Sequence, residues 1–270
     1  MSWLDTVAAA TAALAAMRAA YERGDIDEAA RRGALAGPTV VERALRSADR
    51  PAQLAGIAAA PIVEDRAELL APLATLAAGA ERRTAEAAAD AARAIARELA
   101  DRGRPDDIAP GDVAAWQVAW ADLALRSDRS IELRTAALDA AVALDPAGIG
   151  VDLDAALRDL DPAFRRAVTT AVALPVPAAA VAALAAAVVH DTDGLAALGA
   201  AQSLCLSLDA GPGAEPILGA LGADGLARIR ALAARPPAGA LPSAMRDAGR
   251  CLARGHRAAP APAGKPRTRR

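Results

Sequence analysis

Few side chains in this 270-residue sequence have types and spacings that could support catalysis or metal binding. His190 and His256 are the two histidines, and they lie far apart in the chain. Asp191 and Asp193, in the string HDTDG, have the spacing that begins a calcium-binding loop, but the later ligands and the closing Glu are missing. We therefore expect both carboxylates to cap the helix that follows, and His190 to end the helix before it.

Two other groups of carboxylates also lack the partners that catalysis needs. Asp106 and Asp107 lie in the loop DRGRPDDIAPG, and no nucleophile can be named to work with them as a general acid–base pair. An acidic stretch with arginines around it is typical of helix caps and ion pairs, and it comprises Asp152, Asp154, Asp159 and Asp161. No phosphate-binding loop, GxGxxG, GxSxG or HExxH string occurs. We predict no catalytic residue, no metal site and no cofactor.

Trp116 and Trp120 are the most unusual pair of side chains in the sequence. Their spacing of four places them on one face of a helix, directly after the loop DRGRPDDIAPG. One interpretation is that they fill a wider gap in the core next to that loop. The other is that they form a binding hot spot, because tryptophan is enriched at such sites.

A recurring phrase supplies the elements that must position these residues: a short apolar helix, an acidic turn and a second helix. The turn markers are separated by 32, 47, 33, 32 and 31 residues, and they are Asp49, Glu81, Asp128, Asp161, Asp193 and Asp224. A period of this size predicts stacked helical pairs, each packed on its neighbours. The pattern therefore indicates an all-α fold, a right-handed α-solenoid of about five or six pairs.

The predicted organisation has three parts. Residues 1–37 form an N-terminal helical cap, and residues 38–257 form the solenoid with an insertion loop at 101–111. Residues 258–270, which read AAPAPAGKPRTRR, form a disordered basic tail. The predicted helix pairs are 38–47 with 51–60, 64–78 with 82–100, 112–126 with 130–144, 150–159 with 162–174, 177–189 with 194–207 and 215–221 with 224–234, followed by a closing helix at 241–255.

Charge is divided unevenly along the chain. Residues 1–249 hold all 33 acidic residues and 24 of the 31 basic ones, a net charge of −9, whereas seven basic residues follow. Nucleic-acid binding along the body would need the opposite sign. The tail alone could attract an acidic partner.

The cysteines and one apolar run bear on the cellular compartment. Cys205 and Cys251, the only cysteines, have no CxxC spacing, so they indicate neither a zinc site nor a disulfide framework. We therefore predict a reducing, cytoplasmic location. Residues 171–189 carry no charge and are long enough to be considered as a membrane span. Pro175 and Pro177 divide the run, so we predict two helix segments and no span.

The units LRDLDPAFRRAVTTAVAL and LRSDRSIELRTAALDAAVAL resemble HEAT repeats of the short bacterial type. Each has an apolar first helix, a turn Asp, an Arg entering the second helix, and small residues before a closing Leu. Asp128 and Arg134 match the family's Asp and Arg in one unit, and Asp159 and Arg165 match them in the next. The resemblance covers about residues 38–235, and it implies that these residues are structural and bridge adjacent units.

The resemblance implies a protein–protein interaction scaffold or adaptor that binds a partner along the solenoid surface, without catalysis of its own. The second helices would line the inner surface of such a stack. The predicted binding residues are the two tryptophans and charged positions of the second helices, namely Trp116, Trp120, Arg83, Glu86, Asp90, Arg93, Arg134, Arg165 and Arg166. The predicted structural turn residues are Asp49, Asp128, Asp159, Asp161, Asp193 and Asp224.

Two other functions stay open on the same fold. One is a HEAT-like enzyme or enzyme subunit, such as a bilin-lyase-like or DNA-glycosylase-like protein, which would need a cleft with the tryptophans and a buried carboxylate. The metal-binding hydroxylases of this type are excluded because they use several His-Glu pairs. The other is a nucleic-acid or membrane accessory that acts through the tail residues Lys265, Arg267, Arg269 and Arg270.

Overall fold

The computed structural model describes residues 3–102, 108–145, 151–172 and 174–258. These residues form α-helices, short 3₁₀ turns and connecting loops, with no β-strand among them. The predicted all-α fold is therefore confirmed. The chain divides into two compact units, residues 1–152 and 153–270.

The first unit contains eight helices in its described part. Their bounds are α1 Trp3–Glu22, α2 Ile26–Ala36, α3 Pro38–Leu45, α4 Arg50–Ala59, α5 Leu70–Ala77, α6 Arg82–Arg102, α7 Pro110–Leu125 and α8 Ile131–Leu144. The helices α3 and α4, α5 and α6, and α7 and α8 pack as consecutive pairs. The predicted cap helices α1 and α2 pack against each other and against α4.

Local signals in the sequence explain where these helices begin. Asp49 accepts a hydrogen bond from the amide of Ala52 at 3.2 Å, and Ser130 accepts one from the amide of Leu133 at 3.4 Å. Each satisfies an amide that has no partner within its own helix. Proline occupies the first turn of α3, α4 and α7, where its missing N–H costs nothing.

The start of α5 differs from the prediction. A single helix over 64–78 was expected, but residues Arg66–Leu69 form a 3₁₀ turn and the α-helix begins at Leu70. Pro72 thus lies in the first turn of α5, where no intrahelical donor is required. The observed helix is therefore shorter than the predicted one and begins two residues before the proline.

The second unit contains six helices in its described part. Their bounds are α9 Leu153–Leu157, α10 Pro162–Ala171, α11 Val181–His190, α12 Gly194–Leu206, α13 Ala214–Ala234 and α14 Pro242–Ala258. A 3₁₀ turn, Ala178–Ala180, leads into α11. Consecutive helices again pack as pairs, α9 with α10, α11 with α12 and α13 with α14.

The element α13 contains the last predicted pair of helical segments. Residues 215–221 and 224–234 were expected to form two helices, and α13 consists of two helical segments that meet at a kink at Gly222, where the backbone is not helical. Gly222 has a φ of 56° and a ψ of −163°, a conformation that suits glycine. One residue bends the element, and the partner of α13 is then α14.

Small side chains let neighbouring helices approach closely. Most of the buried positions of α12 are Ala or Gly. A Cβ atom at Gly199 of α12 would lie 2.5 Å from the Oγ1 of Thr169 in α10, so only glycine fits there. The contact of α10 with α12 therefore depends on this position having no side chain.

Cys205 of α12 and Cys251 of α14 form a disulfide, with Cα atoms 5.3 Å apart. The prediction of no disulfide framework was therefore wrong. The two residues are 46 positions apart, and the packing of α14 against α12 brings them together. The argument from cysteine usage for a reducing compartment no longer holds, and the cytoplasmic location stays a prediction.

Within the described residues, no helix has the length and apolar character needed to cross a membrane. The apolar run at 171–189 is divided as expected: α10 ends at Ala171, and α11 begins at Val181 after the prolines.

Candidate binding groove

The second helices of the first unit, α6 and α8, are joined by charged side chains. Asp139 of α8 accepts a hydrogen bond from Arg97 of α6 at 2.7 Å and lies 3.9 Å from Arg93. Arg82 of α6 lies 3.4 Å from Glu132 of α8. Burial raises the pKa of Asp139 above its ordinary value, and the two arginines oppose that rise. These contacts fix the α6–α8 layer.

The turn between α7 and α8 adds further bonds to the preceding pair. Arg129 donates to the carbonyl oxygens of Gly79 and Ala78, at 2.6 and 2.5 Å, just after the end of α5. Its charge meets carbonyls that the helix leaves without donors. The hydroxyl of Ser130 donates to Glu86 at 2.6 Å, and this bond, together with Arg82, lowers the pKa of Glu86.

The second unit has two adjacent arginine–aspartate pairs that link α10 to the turn before α12. Arg165 donates to both carboxylate oxygens of Asp191 at 2.9 Å, and also to the carbonyl oxygen of Asp159 at 2.7 Å. Arg166 donates to both oxygens of Asp193, at 2.9 and 2.5 Å. Asp193 in turn accepts from the amides of Leu195 and Ala196 and so caps α12.

Asp193 gives a prediction about acid stability. The bonds from Arg166 and from the α12 amides lower its pKa to about 2. Because the folded pKa lies below the unfolded one, the stabilisation is present above about pH 4 and is lost as the pH falls towards 2. We expect Asp193→Asn, which keeps a capping oxygen, to lose on the order of 1–2 kcal/mol at neutral pH, a figure reduced for the partly exposed Arg166.

Urea titrations of both proteins at pH 7, 4 and 2 measure this difference. The gap in unfolding free energy should be full at pH 7 and nearly closed at pH 2. A gap that is the same at every pH would mean that the charge of Asp193 does not stabilise the fold.

Most charged residues predicted to bind a partner make bonds within the fold. Arg134 is buried and donates to the carbonyl oxygen of Ala124 at 2.9 Å. Asp90 pairs with Arg93 at 2.8 Å, and Arg83 is exposed on α6. The bonds of Glu86, Arg93, Arg165 and Arg166 are those given above. Their role in binding stays a prediction.

Three of the six residues predicted as structural turns cap the start of a helix. Asp161 accepts from the amide of Ala163 and begins α10, as Asp49 and Asp193 begin their own helices. Asp159 accepts from the amide of Asp161, and Asp128 pairs with Arg126. The remaining one, Asp224, is exposed on α13 just after the bend.

A groove of about 510 Å³ opens between the first helices α5 and α7. Here the two helices pack far less extensively than α6 and α8 do. Alanines form much of the lining, with Trp116 among them, and they are Ala71, Ala74, Ala78, Ala115 and Ala119. Asp122 and Arg126 also line the groove, towards the carboxyl end of α7. We call this the α5–α7 groove.

The structure separates the two tryptophans. Trp120 is completely buried, and its indole N–H has no hydrogen-bond partner among the described residues. Trp116 is only partly buried and lines the α5–α7 groove. Trp120 therefore fills the core, whereas part of the Trp116 ring is exposed in the α5–α7 groove.

The exposure of several apolar residues of α7 was not predicted from the sequence. Val118 is half exposed, and Ala114 and Ala115 are exposed as well. The signal was available, because residues 110–125 place polar side chains only at Asp112, Gln117 and Asp122. A helix that is apolar on all sides ordinarily contacts other protein on all sides.

A second groove, of about 520 Å³, lies between α9 and α11 in the other unit. Leu157, Leu160 and His190 are among its lining residues, and Leu160 is 96% exposed. Arg165 also lines it, but its guanidinium is already bonded to Asp191 and Asp159. One wall is the five-residue helix α9.

The residues considered for catalysis or metal binding do not converge. No cluster of His, Cys, Asp and Glu that could hold a metal ion occurs in the described ranges. Asp193 bonds to Arg166 and caps α12 as predicted. Asp191 bonds to Arg165 and to the amide of Asp193, which precedes the helix, so the prediction that it also caps α12 was wrong. His190 ends α11 as predicted. The described residues do not include Asp106, Asp107 or the predicted tail after Ala258, and they do not include the side chain of His256.

No family model matches the chain, and no curated protein matches it. A solved structure described as "Structural Basis of Microtubule Plus End Tracking by XMAP215, CLIP-170 and EB1" contains a chain that is similar at 12% identity, with a TM-score of 0.45. The match covers 81% of this chain and 91% of that one. A likeness this slight carries no conclusion about fold or function.

Proposed function

We propose that this chain is a HEAT-like helical-repeat adaptor that binds a segment of a protein partner in the α5–α7 groove. The observation that carries the proposal is the partly exposed ring of Trp116 in a groove lined by small side chains. An aromatic ring beside small residues offers a large contact area, which is typical of binding hot spots.

Charge favours a basic partner. Residues 1–152 hold 24 acidic and 17 basic residues, a net charge of −7. Asp122 lies exposed in the groove itself, whereas the cation nearest to it in sequence, Arg126, is paired with Asp128. We therefore infer an amphipathic segment whose apolar side faces Trp116 and whose basic side chains face Asp122.

Replacing Trp116 with alanine should reduce partner binding about 30-fold, or roughly 2 kcal/mol, the effect of losing an interface hot spot. The experiment immobilises the full-length protein and captures partners from an extract of cells that produce it. Leu35→Ala is the matched control, because Leu35 is exposed on α2 and lies outside the groove lining.

A partner retained by the wild-type protein and by Leu35→Ala, but depleted with Trp116→Ala, supports the proposal. Far-UV circular dichroism verifies that both variants are folded. Equal recovery with Trp116→Ala would place binding elsewhere, and the second-helix residues Arg83 and Asp90 would be tested next.

A further inference from the structure

The last helix, α14, is held in its place by unusually little apolar surface. Its fully buried residues are Ala244, Ala248 and Cys251, and its larger apolar residues Met245 and Leu252 are only partly buried, whereas α13 fully buries Ile217, Leu221, Ile229 and Leu232. A buried alanine contributes far less to stability than a buried leucine or isoleucine, because the stabilisation scales with apolar area. The packing of α14 is therefore weak for a helix of 17 residues.

Polar contacts add little to this attachment. The amide of Gln202 donates to Asp247 at 3.0 Å, and Arg254 pairs with Asp209. Asp209 is largely exposed, and ion pairs at exposed positions contribute little because water screens them. The disulfide between Cys205 and Cys251 is thus the strongest single link between α14 and α12.

We propose that the Cys205–Cys251 disulfide is a redox-controlled latch, and that its reduction releases α14 from α12 while the rest of the unit stays folded. This inference is independent of the α5–α7 groove. Both sulfurs are buried, so a reductant reaches them only when α14 opens briefly. An element that buries few large apolar side chains is the one most prone to such local opening.

The reductant is a dithiol of the CxxC protein class. One of its thiolates attacks a cystine sulfur, the S–S bond breaks, and a mixed disulfide forms. The second thiol of the reductant then displaces the cysteine. Cys205 and Cys251 each end with one S–H, and the reductant ends as a disulfide, so two electrons and two protons are transferred.

Release would change the charged surface of this end of the chain. From Pro242 onwards the sequence holds eight basic residues and one acidic residue, Asp247. In the latched state Arg254 is paired with Asp209, and Asp247 is bonded to Gln202. Reduction frees these groups and gives one continuous basic segment, which attracts acidic partners more strongly.

Hydrogen–deuterium exchange of the full-length protein, with and without dithiothreitol, tests the latch. Intact mass after alkylation first establishes the state of the two cysteines. On reduction, the amides of α14 should exchange about 10²- to 10³-fold faster, which corresponds to the constraint of a crosslink across a loop of this length. Peptides from α13 serve as the internal control and should exchange as before.

An unchanged exchange rate in α14 after complete reduction would overturn the proposal. So would an equal increase in exchange rate throughout α11–α14. The proposal would also fail if the two cysteines were free in every condition, or bonded in every condition. The variant Cys205→Ala/Cys251→Ala should show fast exchange in α14 without a reductant and no response to dithiothreitol. If that variant does not fold, the result with the wild-type protein alone decides.

Discussion

Replacing Asp191 with alanine should lower the free energy of unfolding of the second unit by about 3–5 kcal/mol. The carboxylate is 4% exposed and accepts two hydrogen bonds from Arg165, as well as one from the amide of Asp193 at 2.8 Å. Its loss leaves the guanidinium of Arg165, which is 13% exposed, without the carboxylate that accepts two of its hydrogen bonds. An unpaired charge at a buried site is more costly than the loss of an exposed pair.

Two variants make this result specific. Asp128 also accepts two hydrogen bonds from an arginine, Arg126, but this pair is exposed to solvent. Asp128→Ala should therefore change the free energy of unfolding only slightly. Adding Arg165→Met to Asp191→Ala should recover part of the loss, because it removes the orphaned charge. No recovery in the double variant would contradict this explanation.

The measurement can distinguish the two units. Trp3, Trp116 and Trp120 all precede Leu153, so tryptophan fluorescence reports only on the first unit. Far-UV circular dichroism reports on both. We expect Asp191→Ala to shift the urea transition seen by circular dichroism and to leave the fluorescence transition in place.

Replacing Trp120 with alanine should cost about 3–5 kcal/mol, because it opens a large cavity in the first unit. Trp120 is completely buried, and it is the largest fully buried side chain of the described residues. Trp120→Phe should cost much less, under about 1.5 kcal/mol. Phenylalanine keeps most of the aromatic surface and removes an indole N–H that has no acceptor. Removing this unsatisfied donor offsets part of the free energy that is lost with the smaller ring.

Urea unfolding followed by far-UV circular dichroism measures both variants without relying on the replaced chromophore. Trp116→Ala is the control, because a partly exposed ring leaves a smaller cavity. If Trp120→Phe is as harmful as Trp120→Ala, the indole N–H has an acceptor, such as a buried water, and the offset disappears.

The helices could be predicted from the sequence because their starts depend on local chemistry. Asp49, Asp161 and Asp193 cap the helices that follow them, as their positions in the repeated phrase suggest. The string LGADG also predicts the break that Gly222 makes within α13. The packing of α13 against α14 could not be predicted in this way, because it depends on contacts between separate helices.

The candidate site was predictable only in part, since it depends on helix spacing. The sequence put Trp116 and Trp120 on one face, but a four-residue step does not tell which ring the core covers. The groove itself arises because the alanines of α5 and α7 leave space between two loosely packed helices. The disulfide escaped prediction for a similar reason, because 46 residues separate two cysteines that only tertiary packing unites.

The unequal packing of the two helix layers in the first unit has a mechanical consequence. The α6–α8 layer is closely packed and joined by Arg97, Arg93 and Asp139, whereas α5 and α7 are separated by a groove. We therefore expect the α5–α7 side to be the more compliant of the two layers, so that the groove accepts segments of somewhat different width while the α6–α8 ion pairs stay in place. The bonds from Arg129 to the carbonyl oxygens of Ala78 and Gly79 limit how far it widens.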